Sequence, residues 1–379
     1  MRVLRRAFWY LCALFPIKKN KIVFVSYYGK GYGDNPKYIA EALLKQNAPL
    51  EYVWIADQPE KADLPAGFKT AKLNSFRYIY HMSTAKFWVD NARKYWCRKK
   101  KNQLYVQTWH GGFGLKKIVN DALDKLEPDY QRMAQRDASQ TDLMLSNSRT
   151  LTKLYRDAFW YPEGEILECG LPRNDKLFHY TQADVQQSKE KLHLPQDVKV
   201  ALYAPTFRQN ADLSVSDALS AYDMDYKACA KALSERFGGK WVLLLRLHPN
   251  VMKLAKDLKF DNETTFDASA YNDIQELYMI SDLAITDYSS VMFDFMLTKR
   301  PCLLYASDVE DYKKQRDFFV TIDSLPFPLA QNNAQLRDNI LHFDEKIYYE
   351  KVDAFSAYHG FCDNGTASAQ VADWILKQL

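Results

Sequence analysis

The sequence is short of the features that mark several large classes of protein. Its cysteines are scattered through 379 residues without a CxxC spacing. This distribution argues against a zinc site and a disulfide framework, and it fits a reducing cytoplasm. Cys229 and Cys302 lie in apolar stretches and are predicted to be core residues. The six cysteines are Cys12, Cys97, Cys169, Cys229, Cys302 and Cys362.

Other absences narrow the function further. No GxxxxGK[ST] phosphate loop occurs, which disfavours a P-loop NTPase or kinase. No nucleic-acid-binding motif is present and the net charge is only +4, so nucleic acid is a poor partner. No acidic cluster is spaced for a hard cation, so we predict no metal site and leave dependence on a divalent cation open.

No apolar run is long enough to span a bilayer, which needs about 20 residues. The run over residues 7–16 follows Arg5 and Arg6. A signal peptide is one interpretation, but no small-residue cleavage site follows. We favour a membrane-associating amphipathic helix within residues 1–20, with arginines on anionic lipid, over a helix that packs on its own domain. The side chains predicted to enter the headgroup region are Phe8, Trp9, Leu11 and Phe15.

A second basic cluster lies within residues 93–101 and carries Tyr95 and Trp96. It suits lipid phosphates or a polyanionic acceptor, and a solvated loop is an equally good interpretation.

What is present fits a two-domain α/β enzyme. The length exceeds that of one typical core, and the hydrophobic share of 47% and charged share of 26% are ordinary for a globular protein. Predicted strands over residues 21–26, 51–56, 85–90 and 142–146 alternate with helices. This alternation predicts parallel sheets with right-handed crossovers.

The most informative segment is 283–297, which is typical of a short apolar strand, a hydroxyl-rich turn and an apolar helix. The first turn of a helix has unpaired N–H groups and partial positive charge, which suit a phosphate or diphosphate. The hydroxyls of Thr286, Ser289 and Ser290 add donors for the same anion. The alternative is that Ser290 only caps the helix and Asp294 is a satisfied core acid.

Two further strands are predicted to end in polar side chains. Residues 241–250 begin with a continuous apolar run, typical of a strand buried on both faces, and carry Arg246 and His248 at its end. Another strand ends in Thr206 and Arg208. Ligands bind outside the carboxyl ends of strands in open α/β sheets, so these groups are binding candidates. A lone histidine at a strand end is nevertheless more often structural.

A third candidate site lies in the first half of the chain. Residues 103–117 contain a predicted strand, then His110, a glycine-rich turn and a basic helix start. The pKa of an unperturbed histidine lies near neutrality, so His110 can take a proton from a hydroxyl at cellular pH. The glycines permit tight backbone geometry and close approach of a ligand. A turn with an incidental histidine is the alternative.

Taken in order, these motifs resemble the CDP-glycerol glycerophosphotransferase family, the bacterial enzymes that prime and extend teichoic acids and related phosphate-polyol capsules. The resemblance covers nearly the whole chain, and although each motif alone is weak, the ordered set is specific. The matching segments are 21–24, 35–38, 107–111, 115–117, 146–148, 170–175, 204–208, 246–250, 281–294 and 363–368.

The family resemblance implies a GT-B-like α/β fold, in which two Rossmann-like domains face each other across a cleft. We expect an N-terminal acceptor-binding domain over residues 21–180 and a C-terminal CDP-donor-binding domain over residues 190–355. The polar segment 178–194 is the predicted linker. The C-terminal helix, within residues 356–379, is expected to pack back across the domain junction.

Carried over residue by residue, the resemblance makes His110 the catalytic base and His248 the second essential histidine, near the donor diphosphate. On the acceptor side it places Gly111 and Gly112, with Lys116 and Lys117 drawing in an anionic acceptor. The expected donor-binding residues are Thr206, Arg208, Arg246, Thr286, Ser289, Ser290 and Asp294.

The chain departs from the family pattern at two places. Many members have Thr-Pro after the His-Gly pair, where this chain has Gly112-Phe113-Gly114. Many have Arg-Gly-Phe-Tyr farther on, where this chain has Arg316-Asp-Phe-Phe319. The first departure lies beside the expected acceptor, so it bears on acceptor identity more than on the nucleotide.

The function implied is a phosphoryl transfer at the cytoplasmic face of the bacterial membrane. A hydroxyl of a lipid-linked acceptor attacks the β-phosphorus of CDP-glycerol, and CMP leaves. CDP-ribitol is the nearest competing donor, because the motifs do not separate the two polyols. Two more distant interpretations are a GT-B glycosyltransferase that uses a sugar nucleotide and a non-catalytic scaffold with the same fold. The sequence does not indicate an oligomeric state.

Overall fold

The computed structural model describes residues 2–94, 96–115, 126–206, 223–247, 261–310, 312 and 319–379. The chain divides into two compact units. Unit 1 comprises Met1–Gly112, Ile118–Asp175 and Gly360–Leu379, and unit 2 comprises Phe113–Lys117 and Lys176–His359.

Unit 1 is built on a seven-stranded sheet in which every pair of neighbouring strands is parallel. The strand order is β3-β2-β1-β4-β5-β6-β7, with the winding direction reversing between β1 and β4. The strands are β1 (Lys18–Val25), β2 (Glu51–Ala56), β3 (Lys69–Lys72), β4 (Ala85–Asp90), β5 (Leu104–Gln107), β6 (Leu143–Ser146) and β7 (Glu165–Glu168).

Helices cover both faces of this sheet, because alternate strand residues point to opposite sides and both sets are apolar. Ile22 and Phe24 of β1 pack in one core cluster, while Val23 and Val25 pack in another. The described helices of unit 1 are α1 (Arg2–Ala13), α2 (Asp34–Lys45), α3 (Phe76–Thr84), α4 (Pro128–Gln140) and α5 (Arg149–Ala158), with the last helix of the chain (Ala367–Leu376).

Helix α1 packs on its own domain along one face. Trp9 is 8% exposed and Cys12 is fully buried in the cluster formed with α3 and the sheet, and Phe8 contacts Phe76 edge to face at 4.9 Å. The prediction that Trp9 enters the headgroup region is therefore wrong in this conformation, because the domain core already covers it. Other large apolar side chains of this region remain exposed: Leu4, Tyr10, Leu11, Leu14 and Phe15.

Unit 2 repeats the architecture with a six-stranded parallel sheet in the order β10-β9-β8-β11-β12-β13. Its strands are β8 (Lys199–Tyr203), β9 (Trp241–Leu245), β10 (Thr265–Asp267), β11 (Leu283–Thr286), β12 (Cys302–Tyr305) and β13 (Leu329–Ala330). Its described helices are α6 (Lys176–His179), α7 (Gln182–Lys191), α8 (Tyr226–Phe237), α9 (Ile274–Ile280), α10 (Val291–Met296), α11 (Asn333–Leu341) and α12 (Glu345–His359).

The predicted α/β class with parallel sheets in two Rossmann-like halves is confirmed. The predicted linker over residues 178–194 is wrong, because it contains α7 of unit 2. Thr181 and Asp184 form a capping box that starts this helix. The last helix, α13 (Ala367–Leu376), belongs to unit 1, so the chain returns there after α12.

Two further sequence expectations concern cysteines and membrane spans. Cys229 and Cys302 are buried, as predicted. In the part of the chain that the structure describes, no helix combines the length and apolarity that a membrane crossing requires.

Candidate active site

The winding of each sheet reverses at one point, between β1 and β4 in unit 1 and between β8 and β11 in unit 2. In doubly wound sheets, ligands bind outside the carboxyl ends of the strands at this point. The loops that follow these strands and their neighbours therefore frame two candidate half-sites, one in each unit.

In unit 1, His110 stands just after β5 and is exposed to solvent. Its Nδ1 lies 2.9 Å from the carbonyl oxygen of Asn91. A carbonyl oxygen only accepts hydrogen bonds, so Nδ1 carries the proton and Nε2 keeps its lone pair. The preceding Trp109 has a φ of 52°, unusual for a residue with a side chain, and its ring centroid lies 4.3 Å from that of His110. The turn thus presents an imidazole whose Nε2 is a base.

A buried polar network holds the backbone of this turn. Asn35 Nδ2 donates to the Trp109 carbonyl at 3.1 Å, and Arg173 Nη1 donates to the His110 carbonyl at 2.8 Å. Arg173 also forms an ion pair with Asp34 at 3.2 Å, and its backbone N–H donates to Asn35 Oδ1 at 3.1 Å. Arg173 is 3% exposed and Asn35 is fully buried. The position of His110 is therefore fixed from two other parts of the chain.

Tyr27 forms a wall beside the imidazole. Its backbone N–H donates to Asn91 Oδ1 at 2.7 Å, and its hydroxyl donates to Asp34 Oδ2 at 2.6 Å. Its ring centroid lies 5.8 Å from that of His110, and its φ of 42° is again in the left-handed region. The loop after β1 is thus tied to the ends of both β4 and β5.

The environment favours the neutral form of His110. Protein atoms packed around the ring disfavour the imidazolium and lower the pKa of His110 below its ordinary value of 6.5. The Asn91 carbonyl and the Asp34 carboxylate oppose this shift in pKa, while the charges of Arg173 and Arg93 add to it. A neutral imidazole at pH 7 is the form that accepts a proton.

Two of the glycines after His110, Gly111 and Gly114, are not required by the packing of this chain. A Cβ on Gly111 would lie 3.5 Å from Trp109, an ordinary contact, and one on Gly114 would meet no atom within 4 Å. The left-handed geometry expected of this turn is instead found at Trp109. Between the glycines, Phe113 packs in unit 2 against Phe293 at 4.8 Å, so the departure from the family pattern supplies a core aromatic there.

In unit 2, buried polar groups clamp the loops after β8 and β11 together. Asp287 accepts the Thr206 backbone N–H at 2.9 and 3.0 Å and the Tyr288 N–H at 2.6 Å. Thr286 is fully buried, and its hydroxyl donates to the Ala204 carbonyl at 2.7 Å. The Thr286 hydroxyl was expected to face a phosphate, but in this conformation its proton is committed to the clamp.

Ser289 and Ser290 follow this clamp and are half-exposed. Ser290 precedes α10 but makes no side-chain capping hydrogen bond, so the interpretation of Ser290 as a simple cap does not hold. Ser289 Oγ accepts the Val291 N–H at a long 3.4 Å. Helix α10 has only six residues, and Asp294 within it is 5% exposed. The hydroxyls, rather than a long helix dipole or the buried acid, are thus the groups placed to meet a ligand.

The structure describes only some of the remaining predicted site residues. Arg246 follows β9, and its Nη1 donates to the Tyr271 carbonyl, which orients the guanidinium across the carboxyl edge of the sheet. Four predicted site residues lie outside the described residues: Lys116, Lys117, Arg208 and His248. Within the described ranges, no group of three or more His, Cys, Asp or Glu side chains is placed to hold a metal ion.

Sequence reasoning assigned no role to four residues of the histidine half-site: Tyr27, Asp34, Asn91 and Arg173. The sequence did contain a signal for two of them, because Tyr27 and Asn91 each directly follow a predicted strand. The polar residues recognised in the second half of the chain also follow predicted strands. Asn35 and Arg173 lie in segments that carry the family resemblance, but only the fold brings them to His110.

The family model described as CDP-Glycerol:Poly(glycerophosphate) glycerophosphotransferase matches residues 8–377 of the chain. The teichoic acid poly(glycerol phosphate) polymerase of Staphylococcus epidermidis is 38% identical over 96% of this chain. A polymerase of the same name from Bacillus spizizenii is 34% identical over 97% of this chain. The chain spans 51% of the Staphylococcus protein and 94% of the Bacillus protein.

A solved structure gives the same result for the fold. The wall teichoic acid polymerase TagF, in a variant soaked with CDPG, superposes with a TM-score of 0.87 and 36% sequence identity. The match covers 98% of this chain and 92% of that one.

Proposed function

We propose, because the chain belongs to the CDP-glycerol:poly(glycerophosphate) glycerophosphotransferase family, that it transfers glycerol phosphate from CDP-glycerol to a hydroxyl of a lipid-linked acceptor. The reaction releases CMP and contributes to teichoic acid or capsular polymer synthesis. The observation that carries the proposal is the hydrogen bond from His110 Nδ1 to the Asn91 carbonyl, 2.9 Å long, which leaves Nε2 as a base.

In the proposed reaction, the acceptor oxygen attacks the β-phosphorus of CDP-glycerol. The new bond joins that oxygen to the phosphorus, and the bond from the phosphorus to the oxygen bridging to CMP breaks. His110 Nε2 takes the proton of the acceptor hydroxyl. Proton removal and in-line positioning are the two contributions expected of a protein in this type of transfer.

Unit 2 is proposed to hold the CDP moiety. Its half-site lies at the winding reversal between β8 and β11, where Ser289 and Ser290 are half-exposed and the Ser290 hydroxyl makes no capping hydrogen bond. Arg246 and the predicted Arg208 would add positive charge for the departing CMP, and the predicted His248 would lie near its phosphate. Thr206, Thr286 and Asp287 support this half-site by joining the two loops.

Glycerol is the proposed polyol, because both relatives described above are named for glycerol phosphate. A competition between CDP-glycerol and CDP-ribitol, with product mass measured, tests this choice. We expect glycerol phosphate in the product when both donors are present at equal concentration. Ribitol phosphate in the product would assign the other donor, and transfer of a sugar without phosphate would indicate a glycosyltransferase.

The proposed location is the cytoplasmic face of the membrane, with the chain attached peripherally. The exposed side chains Leu4, Leu11, Leu14 and Phe15 support this location, since they leave apolar surface open to solvent on and just after the helix that carries Arg6. This surface replaces the predicted contact through Trp9. A lipid-linked acceptor would be reached from such a position.

A further inference from the structure

Unit 1 contains a cavity of about 750 Å³ that the proposed reaction does not use. It lies on the carboxyl side of the sheet at the winding reversal, because its lining includes Val25 at the end of β1, Tyr28 in the loop after it and Asp90 at the end of β4. Helices α1 and α4 contribute other lining residues. Its volume lies within the range of roughly 300–1,000 Å³ that is usual for small-molecule sites.

The lining of this cavity is strongly basic. Asp90 and Asp129 are the carboxylates among its lining residues, and both form ion pairs, with Lys94 and Arg132 respectively. Six cationic side chains line the cavity: Arg5, Arg6, Arg93, Lys94, Arg132 and Arg136.

Several of these cations form no ion pair with a carboxylate of the described residues. Within the described residues, neither Arg5 nor Arg6 forms an ion pair or hydrogen bond through its side chain. Arginines outnumber lysine in the lining, and a planar guanidinium matches the oxygen geometry of phosphate through paired donors. The composition of the cavity therefore favours a phosphate-bearing ligand.

Arg93 adds a second, independent indication. It is 4% exposed, and its three guanidinium nitrogens have no hydrogen-bond partner among the described residues. Its charge rests against the rings of Trp109, Tyr130 and Phe159, with centroids 5.1, 5.8 and 4.8 Å away. Buried charges are normally paired, and cation–π contacts compensate them only in part. An anion in the cavity would balance this charge.

The cavity is connected to the histidine half-site through the loop after β4. Asp90, Arg93 and Lys94 line the cavity, and the backbone carbonyl of Asn91, between them, accepts the hydrogen bond from His110 Nδ1. Tyr28 lines the cavity, while its neighbour Tyr27 contacts the His110 ring. A ligand in the cavity would thus be held beside the base rather than at the donor half-site of unit 2.

We infer that this cavity binds a phosphate group of the acceptor, at a position separate from the hydroxyl that is attacked. The inference rests on the proposed transfer, since it assigns part of the acceptor. Lipid-linked acceptors and anionic phospholipids share this phosphate chemistry, so the experiments separate the two sources.

The test compares two double variants of the full chain with equal loss of charge. Arg6→Gln with Arg132→Gln removes two exposed cations from the cavity, whereas Lys45→Gln with Lys153→Gln removes two exposed cations of unit 1 that do not line it. Arg93 is avoided because its burial makes a folding defect the expected result.

Binding is measured by calorimetry with inorganic pyrophosphate, in the presence of saturating CDP to occupy the donor half-site. The cavity variant should weaken pyrophosphate binding about tenfold, because charge-assisted contacts are lost, while the control variant should bind like the wild type. Equal binding by the two variants would overturn the inference. This measurement does not need turnover, so it separates failure of the cavity from failure of the proposed transfer.

The source of the phosphate is tested by kinetics and by vesicles. The cavity variant should raise the KM for an amphiphile-linked acceptor that carries a phosphate about tenfold, without changing kcat or the KM for the same acceptor lacking phosphate. Flotation with phosphatidylglycerol vesicles uses the single variants Arg132→Gln and Lys153→Gln, because Arg6 lies on the helix proposed to meet the membrane, and it should be equal for these two variants. Loss of vesicle binding with an unchanged KM would assign the cavity to a lipid headgroup and contradict the acceptor assignment.

Discussion

The proton on His110 Nδ1 is held by the Asn91 carbonyl, and this contact determines which nitrogen can act as the base. The sequence indicated His110 because it follows a strand and precedes glycines. Its partners could not be predicted, because Asn91 and Arg173 come from distant parts of the chain that only the sheet topology brings together.

The lowered pKa of His110 leads to a prediction for the pH profile. The base must be neutral, so kcat/KM should fall on the acid side only as pH passes below the pKa of His110, which lies under 6.5 because of desolvation. Initial rates of CMP release across the acid and neutral range, in buffers of constant ionic strength, check this. An acid limb with its midpoint above the ordinary histidine pKa of 6.5 would contradict the account of His110.

Lys21 is a buried charge that the sequence did not reveal, since a lysine at the start of a strand is usually exposed. Its ammonium is fully buried, donates to Thr84 Oγ1 at 2.8 Å and lies 3.9 Å from Glu51. Burial lowers the pKa of Lys21 from 10.5 to about 8. The unfolded chain therefore holds this proton to a higher pH than the folded chain does.

The sign of the effect on stability follows from that difference in proton binding. Above about pH 8 the unfolded state of the wild type binds more protons at Lys21, so this residue makes unfolding less favourable as pH rises toward 10.5. Lys21→Met should be more stable than the wild type at neutral pH, and the advantage should shrink as pH rises above about 8. Urea denaturation at several pH values measures this, with the exposed Lys19→Met as control. An advantage independent of pH would refute the assignment.

At the scale of elements, the segment from β11 to α10 was well predicted in outline. The strand, the polar turn and the apolar helix all occur, because each has a clear hydrophobic pattern. The roles within the turn were less predictable. Thr286 and Asp287 hold the loop after β8. Thr206 and Asp287 are 81 residues apart in the chain, so no local sequence pattern encodes their contact.

The exposed serines of this turn give a prediction about the donor. Ser289→Ala with Ser290→Ala should raise the KM for CDP-glycerol and the Kd for CDP about tenfold or more, because hydroxyl donors to a charged diphosphate are lost. Ser324→Ala, an exposed serine of the same unit, is the control. Unchanged CDP binding in the folded double variant would remove this turn from the donor half-site.

Helix α13 gives a prediction about stability. Ile375 is fully buried in the core cluster that α13 forms with α2 and the sheet. Ile375→Ala should lower the free energy of unfolding by about 2–5 kcal/mol, because it leaves a cavity in this cluster. Lys377→Ala, an exposed change at the same end of the chain, should have little effect. Equal urea midpoints for the two variants would show that α13 does not support the core of unit 1.

For the whole molecule, the family and the α/β class with two Rossmann-like halves were predicted correctly. The linker was misplaced, although the capping signature of Thr181 and Asp184 was present in the sequence. The chain also enters unit 2 at Phe113 before returning to unit 1, which a division by sequence segments could not foresee. The assignment of the acceptor to unit 1 and of the donor to unit 2 stays a prediction, which turnover and binding experiments can test.

The central claim is that His110 in unit 1 is the base while unit 2 holds CDP. The most direct test measures CMP release from CDP-glycerol with an amphiphile-linked acceptor, together with CDP binding, in the wild type, His110→Ala and the exposed control His342→Ala. The account predicts that His110→Ala abolishes CMP release and keeps the CDP affinity of the wild type, with His342→Ala unaffected. Undiminished CMP release from His110→Ala, or loss of CDP binding in that folded variant, would contradict it.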